Sequence, residues 1–183
     1  MTVKIKVYSD YVCPFCFLAE KPLVEAIEGK DVEVEWMPYE LRPYPNETLK
    51  PEGHYLQSTW KQSIYPMAER MGIDIILPKV SPQPYTHLAF EGYQYAKEKD
   101  KGNEYNDRML RAFFQEEQDI GNINILTKLA GEIGLNDLRL KLQRLQPFGP
   151  DRLGRQAVDR QVNLYGHRIY VTVWTEAALD HHP

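Results

Sequence analysis

Apolar and polar residues alternate almost from the start of this chain. Val3, Ile5 and Val7 alternate with Lys4 and Lys6, a period-2 pattern that predicts a strand over 4–8. Phe17 to Ile27 then repeats at helical spacing, predicting a helix over 14–28 that opens on Pro14 and stops at Gly29. Pro22 lies inside it and should bend it, because an interior proline removes a backbone bond at a cost of about 3 kcal/mol. Val32, Val34 and Trp36 alternate with Glu33 and Glu35, predicting a second strand over 32–37. Two parallel strands joined by a helix form a right-handed βαβ unit.

The middle of the chain changes period. Pro43, Pro45 and Pro51 exclude regular structure over 39–53. A helical pattern follows over 55–71, then an irregular stretch over 73–84 containing three prolines. Thr86 is placed to cap a helix whose apolar face is Ala89, Phe90, Tyr93 and Ala96, and Gly102 to end that segment. Tyr105, Met109, Leu110, Phe113 and Phe114 form another face; Leu126, Leu129, Ala130 and Ile133 form a fourth, stopped by Gly134. There is no repeat or low-complexity segment.

The last quarter reads differently. Lysine outnumbers arginine up to Asn136 and arginine outnumbers lysine after it, and apolar periodicity weakens over 146–160. Within it, Ile169, Val171 and Val173 alternate as a strand over 167–174. The usage shift is that of a segment read in another frame from near 137–140, or of one that has diverged. The expected organisation is therefore 1–45 as the βαβ start, 46–135 as an all-helical insertion and 136–183 as a divergent C-terminal segment.

At 183 residues this is one domain, or one domain carrying an insertion. A net charge of −4 gives no electrostatic case for nucleic acid or an anionic membrane. No apolar run is long enough to span a bilayer. The first strand follows Met1 so closely that no signal peptide is expected, which predicts a cytoplasmic protein with thiols held reduced.

The chemistry concentrates in Cys13-Pro14-Phe15-Cys16, which holds both cysteines of the chain. The pair falls at the strand-to-helix junction, with Cys13 at the helix N-terminus. Unpaired N–H groups and the positive end of the helix dipole favour a thiolate there, and the thiolate is the species that attacks disulfides. Cys16 lies one turn further on, close enough to close a small ring. Three plainer readings compete. Structural zinc needs four ligands, and none of the five histidines (His54, His87, His167, His181, His182) makes a tight pair except the last two, so no metal is expected. A structural disulfide closing so short a loop would stabilise little. Two unrelated buried cysteines would simply be small hydrophobes.

Asp10-Tyr11-Val12-Cys13-Pro14-Phe15-Cys16-Phe17-Leu18 resembles the active-site segment of the DsbA-like thioredoxin-fold family, and most nearly its FrnE-like cytosolic branch of dithiol–disulfide oxidoreductases and isomerases. Looser matches run through 89–99, Arg111-Ala112-Phe113-Phe114 and Asp119-Ile120-Gly121-Asn122, so the resemblance covers 1–136. It implies an α/β thioredoxin fold with an all-helical insertion, Cys13 as attacking cysteine, Cys16 as resolving cysteine, and Pro14 and Phe15 as the dipeptide that tunes the potential. It also implies a cis-proline, usually after Val or Thr, at the start of a strand facing the cysteines. Beyond Asn136 the prolines are Pro147, Pro150 and Pro183, and none follows Val or Thr. The C-terminal part of the sheet is therefore expected to be incomplete, with an exposed edge that suits a homodimer.

Three functions follow. A thiol–disulfide oxidoreductase or isomerase would act on disulfide-containing proteins or small thiols, with an external thiol or oxidant for recycling and no cofactor. A glutathione-dependent isomerase or transferase of the kappa or 2-hydroxychromene-2-carboxylate type resembles the same fold but generally carries serine where Cys13 stands. An inactive binding or chaperone module would suit the altered tail. Tyr11 and Phe15 flank the cysteines and would form an apolar collar for substrate, although core packing suits Tyr11 equally. His87 would face the cysteines if the insertion folds over them, although a surface or capping role is the commoner one. Asp10 reads as a loop residue whose charge, if close, would raise the Cys13 pKa.

Overall fold

The alternation at the start becomes β1 (Val3–Ser9), the helix α1 (Pro14–Ile27) and the second alternation β2 (Val32–Pro38). This computed structural model describes residues 2–139, residue 142 and the backbone of 171–174. β1 and β2 pair in parallel, Val3 opposite Val32 through Ser9 opposite Pro38. The late strand β3 (Val171–Trp174) pairs antiparallel with β1, Ile5 opposite Val173, so the described sheet has the order β2-β1-β3. The rest of the predicted strand, 167–170, and Pro147, Pro150 and Pro183 lie outside the described residues. α1 runs through Pro22 and ends before Gly29, whose φ of 70° only glycine adopts without strain.

Between β2 and β3 come the helices. The predicted 55–71 helix is α2 (His54–Thr59), a π turn over Trp60–Ile64 and α3 (Tyr65–Met71), closed by Gly72 in the left-handed conformation. α4 (His87–Lys97), α5 (Gly102–Phe114) and α6 (Ile123–Glu132) follow. Two punctuation marks act differently from expectation. Thr86 occupies the cap position of α4, but its hydroxyl caps nothing; it donates to Asp10 instead. Gly102 opens α5 rather than ending α4, because Asp100 makes the left-handed turn between them at φ 55°.

The predicted apolar faces supply the core. Tyr105, Met109, Leu110, Phe113 and Phe114 of α5 are fully buried, with Leu126, Leu129 and Ala130 of α6 beside them. The Phe114 ring stacks on Phe17 of α1 at 5.4 Å and meets Trp60 of the π turn at 6.1 Å, so the stack fastens the helix carrying the cysteines to the helical layer. At the surface, Lys97 Nζ lies 2.7 Å from Glu35 Oε1 and ties α4 to β2.

α4 and α5 pack closely where Gly92 meets Tyr105: a Cβ on Gly92 would stand 2.7 Å from Tyr105 Cζ. Helix propensity alone would make Gly92→Ala stabilising by about 1 kcal/mol. Overpacking against a buried ring outweighs that, and the variant is expected to lose about 1–3 kcal/mol. Its urea midpoint should fall; a rise would show that the two helices separate without cost.

Candidate active site

The site is built where β1 hands over to α1. Cys13 is the N-cap of α1, extended at φ −92° and ψ 108°, and its carbonyl accepts from Cys16 N at 3.1 Å and Phe17 N at 3.2 Å. Pro14 takes the first helical position, where its missing N–H is not needed. Cys13 is 8% exposed and Cys16 half-buried, both as thiols.

The two sulfurs are hydrogen-bonded to each other. That hydrogen bond lowers Cys16 below the ordinary thiol range against its burial, with help from the Asp10 backbone N–H and the Ser9 hydroxyl. The same hydrogen bond, then burial, pushes Cys13 well above it. The first proton therefore leaves the pair easily and the second with difficulty, and both steps belong to the pair. The sequence places both thiols at the helix N-terminus; the hydrogen bond between them is not encoded by their spacing.

The anchor of the loop is Asp10, 2% exposed. Its Oδ1 accepts from Thr86 Oγ1 at 2.9 Å and from Val12 N at 3.4 Å, and its Oδ2 accepts from Leu41 N at 2.7 Å. One carboxyl group thereby joins the cysteine loop, the segment after β2 and the start of α4. Burial pushes Asp10 up to about 6 against the opposing pull of these hydrogen bonds, and its charge raises both thiols. Glu40 is pushed up to about 7 by burial and then by the Asp10 charge.

Of the remaining predicted residues, Tyr11 is 1% exposed and stacks on Phe90 of α4 at 4.7 Å, a core position. Phe15 is half-buried beside the cysteines. His87 is the first residue of α4, directly after Thr86; its Nδ1 is buried without a hydrogen-bond partner among the described residues, and burial lowers its pKa. Among the described residues there is no cluster of three or more metal-ligating side chains.

The model of the DSBA-like thioredoxin domain matches residues 4–147. The chain belongs to that family. A relative from Bacillus subtilis (strain 168), uncharacterized protein YwbO, is 61% identical over 142 residues, which are 77% of this chain and 71% of that protein. Cytosolic disulfide reductase DsbM from Pseudomonas aeruginosa with GSH superposes with a TM-score of 0.63 at 16% identity, covering 84% of this chain and 77% of that one. A probable DsbA oxidoreductase from Streptomyces coelicolor gives 0.58 at 19% identity, covering 77% and 68%. A 2-hydroxychromene-2-carboxylate isomerase gives 0.57 at 13% identity, covering 76% and 71%. Identities this low show a shared fold. The family model reaches 147, eleven residues beyond the 1–136 over which the sequence resembles the family. No helix among the described residues is long and apolar enough to cross a membrane.

Sequence reasoning missed Asp10 as an anchor, and it missed Glu20 and Glu40 as perturbed carboxyl groups. The signal for Asp10 is its place directly before the Tyr11-Val12-Cys13 turn; the partners that bury it are remote in sequence.

Proposed function

We propose that this chain is a dithiol–disulfide oxidoreductase of the FrnE-like cytoplasmic branch, acting on protein or small-molecule disulfides. The observation that carries this reading is the hydrogen-bonded thiol pair at the N-terminus of α1, with one thiol held below its ordinary value. Proton exchange across that hydrogen bond places the thiolate on Cys13, at the positive end of the helix dipole. Cys13 Sγ attacks one sulfur of the substrate disulfide. The S–S bond breaks, the first substrate thiolate leaves and takes a proton from solvent, and a mixed disulfide forms. Cys16, now carrying the shared proton, loses it and attacks Cys13 Sγ, expelling the second substrate thiolate. The substrate gains two electrons and the protein is left with a Cys13–Cys16 disulfide, which an external thiol such as glutathione returns to the dithiol. Pro14 and Phe15 would set the potential of that couple. His87, at the start of α4, would contact substrate.

Support for the cytoplasmic assignment comes from the fold shared with DsbM, a cytosolic disulfide reductase. The fold shared with 2-hydroxychromene-2-carboxylate isomerase keeps a glutathione-dependent isomerase as the second reading. The thiol pair favours exchange over it.

Turnover of a disulfide peptide by glutathione, followed by release of free thiol, tests the reading. Cys13→Ala is expected to fall to the uncatalysed background. Cys16→Ala is expected to stall as a peptide adduct visible by intact mass. Glutathione binding with no turnover in the unmodified protein would instead favour the isomerase reading.

A further inference from the structure

Cys16 and Glu20 lie four residues apart on one face of α1, where side chains are neighbours. Both line a cavity of about 50 Å³ that is closed on the sheet side by Tyr8, Ser9 and Trp36. Glu20 is half-buried, and Asn106 of α5, itself 2% exposed, donates its Nδ2 to Glu20 Oε1 at 3.2 Å. That places a held carboxyl group one helical turn from the sulfur that must lose a proton. Asp10 is the other carboxylate close to the thiols, but both of its oxygens are committed to Thr86, Val12 and Leu41.

Following from the oxidoreductase reading, we propose that Glu20 is the base that takes the proton from the Cys16 thiol when Cys16 resolves the mixed disulfide. The need for a base arises from the reaction itself. The main cause holding Cys16 low is the hydrogen bond from the Cys13 thiol, and that donor disappears once Cys13 Sγ is capped by substrate. Burial and the Asp10 charge, both of which raise Cys16, remain, opposed only by the weaker hydrogen bonds from the Asp10 backbone and the Ser9 hydroxyl. Glu20 suits the task because burial, then the Asp107 charge, push it up to about 7, against the Asn106 hydrogen bond and the Arg111 charge. A base near the working pH is the most effective. The groups facing it are Asp107 and Arg111 from α5, Tyr8 from β1, and Cys16 and Tyr11 along its own side of the site. In the step, the S–H bond breaks and the proton moves to the carboxylate. The new Cys16–Cys13 bond forms as the substrate sulfur leaves with the bonding pair, and Glu20 then returns its proton to solvent.

The test is the reaction of the fully reduced protein with an aromatic disulfide, 5,5′-dithiobis(2-nitrobenzoate), whose thiolate leaves without needing a proton. Coloured thiolate is released twice, once on attack and once on resolution. Glu20→Gln keeps an oxygen for Asn106 and is expected to fold, with the urea midpoint as the check. Its second phase should slow about tenfold or more and lose the rise through pH 7, while its first phase stays within about twofold. Glu20→Asp should recover part of the rate, and Glu40→Gln should match the unmodified protein. A second phase of unchanged rate and pH profile in Glu20→Gln overturns the proposal. If that variant does not fold, an unmodified protein whose second phase shows no rise through pH 7 overturns it equally. Failure of the oxidoreductase reading looks different: the first phase is then no faster than that of an ordinary free thiol, while the second phase still reports on Glu20.

Discussion

Phe114→Ala is expected to lower the unfolding free energy by about 3–5 kcal/mol, the range for removing a fully buried aromatic ring. The ring is wholly inaccessible and touches three others: Phe17 at 5.4 Å, Phe113 at 5.0 Å and Trp60 at 6.1 Å. Truncation forfeits its burial and leaves a void that the rigid neighbouring rings cannot fill. Phe17 directly follows Cys16, so the same void loosens the first turn of α1. The thiol–thiol hydrogen bond should weaken with it, and the Cys16 thiol should drift towards its ordinary value. A urea titration gives the stability and thiolate absorbance near ~240 nm gives the titration, against a free-cysteine reference of about 8.5. Phe114→Leu, which keeps most of the volume, should lose less on both. An unchanged midpoint in Phe114→Ala would mean that α1 is fastened to the helical layer by contacts other than this stack.

What the sequence made legible is what local grammar encodes. Val3, Ile5 and Val7 alternate because one sheet face is buried, and Pro14 opens a helix because its missing N–H is harmless there. Those two facts place Cys13 and Cys16 at a strand-to-helix junction without reference to any other part of the chain. The helical faces were legible for the same reason. Features that depend on distant partners were not. Asp10 looks like any loop aspartate until Thr86, 76 residues away, and Leu41, 31 residues away, bury it. Glu20 looks like a solvated helix residue until Asn106, 86 residues away, covers it. Gly102 is ambiguous because glycine punctuates either end of a helix, and here Asp100 supplied the turn. The π turn over Trp60–Ile64 leaves no mark in the hydrophobic period of 55–71.

Asp10 is the residue through which the fold and the thiol chemistry are most tightly joined, and removing it should move the two in opposite directions. Asp10→Ala leaves Leu41 N, Val12 N and the Thr86 hydroxyl without their acceptor. Each buried group left unpaired costs about 1–3 kcal/mol. Part of this is offset at neutral pH, because the carboxylate itself is buried at a cost, so a net loss of about 2–4 kcal/mol is expected at pH 7. The pH dependence follows from the direction of the Asp10 perturbation. Burial raises it from 3.8 to about 6, so the folded protein binds this proton more tightly than the unfolded chain does. The resulting stabilisation is complete below the unfolded value and is lost as the pH rises through about 6. At about 1.4 kcal/mol per pK unit it amounts to about 3 kcal/mol in full, of which about 1 kcal/mol is regained between pH 8 and pH 5. The deficit of Asp10→Ala should therefore be larger at pH 5 than at pH 8. Asp10→Asn, which cannot titrate, should lose the acid-side gain while keeping much of the hydrogen bonding. Urea midpoints at the two pH values measure both effects, and a pH-independent deficit would mean that Asp10 is ionised in the folded state down to its ordinary value. Chemically, losing the charge removes one of the causes that raise Cys13 and Cys16. Asp10→Asn should therefore react faster with iodoacetamide at pH 7 although it is the less stable protein. The carboxyl group that clasps three segments around the cysteine loop thus restrains the thiols it positions, and a variant slower than the unmodified protein would show that the clasp, rather than the charge, governs their reactivity.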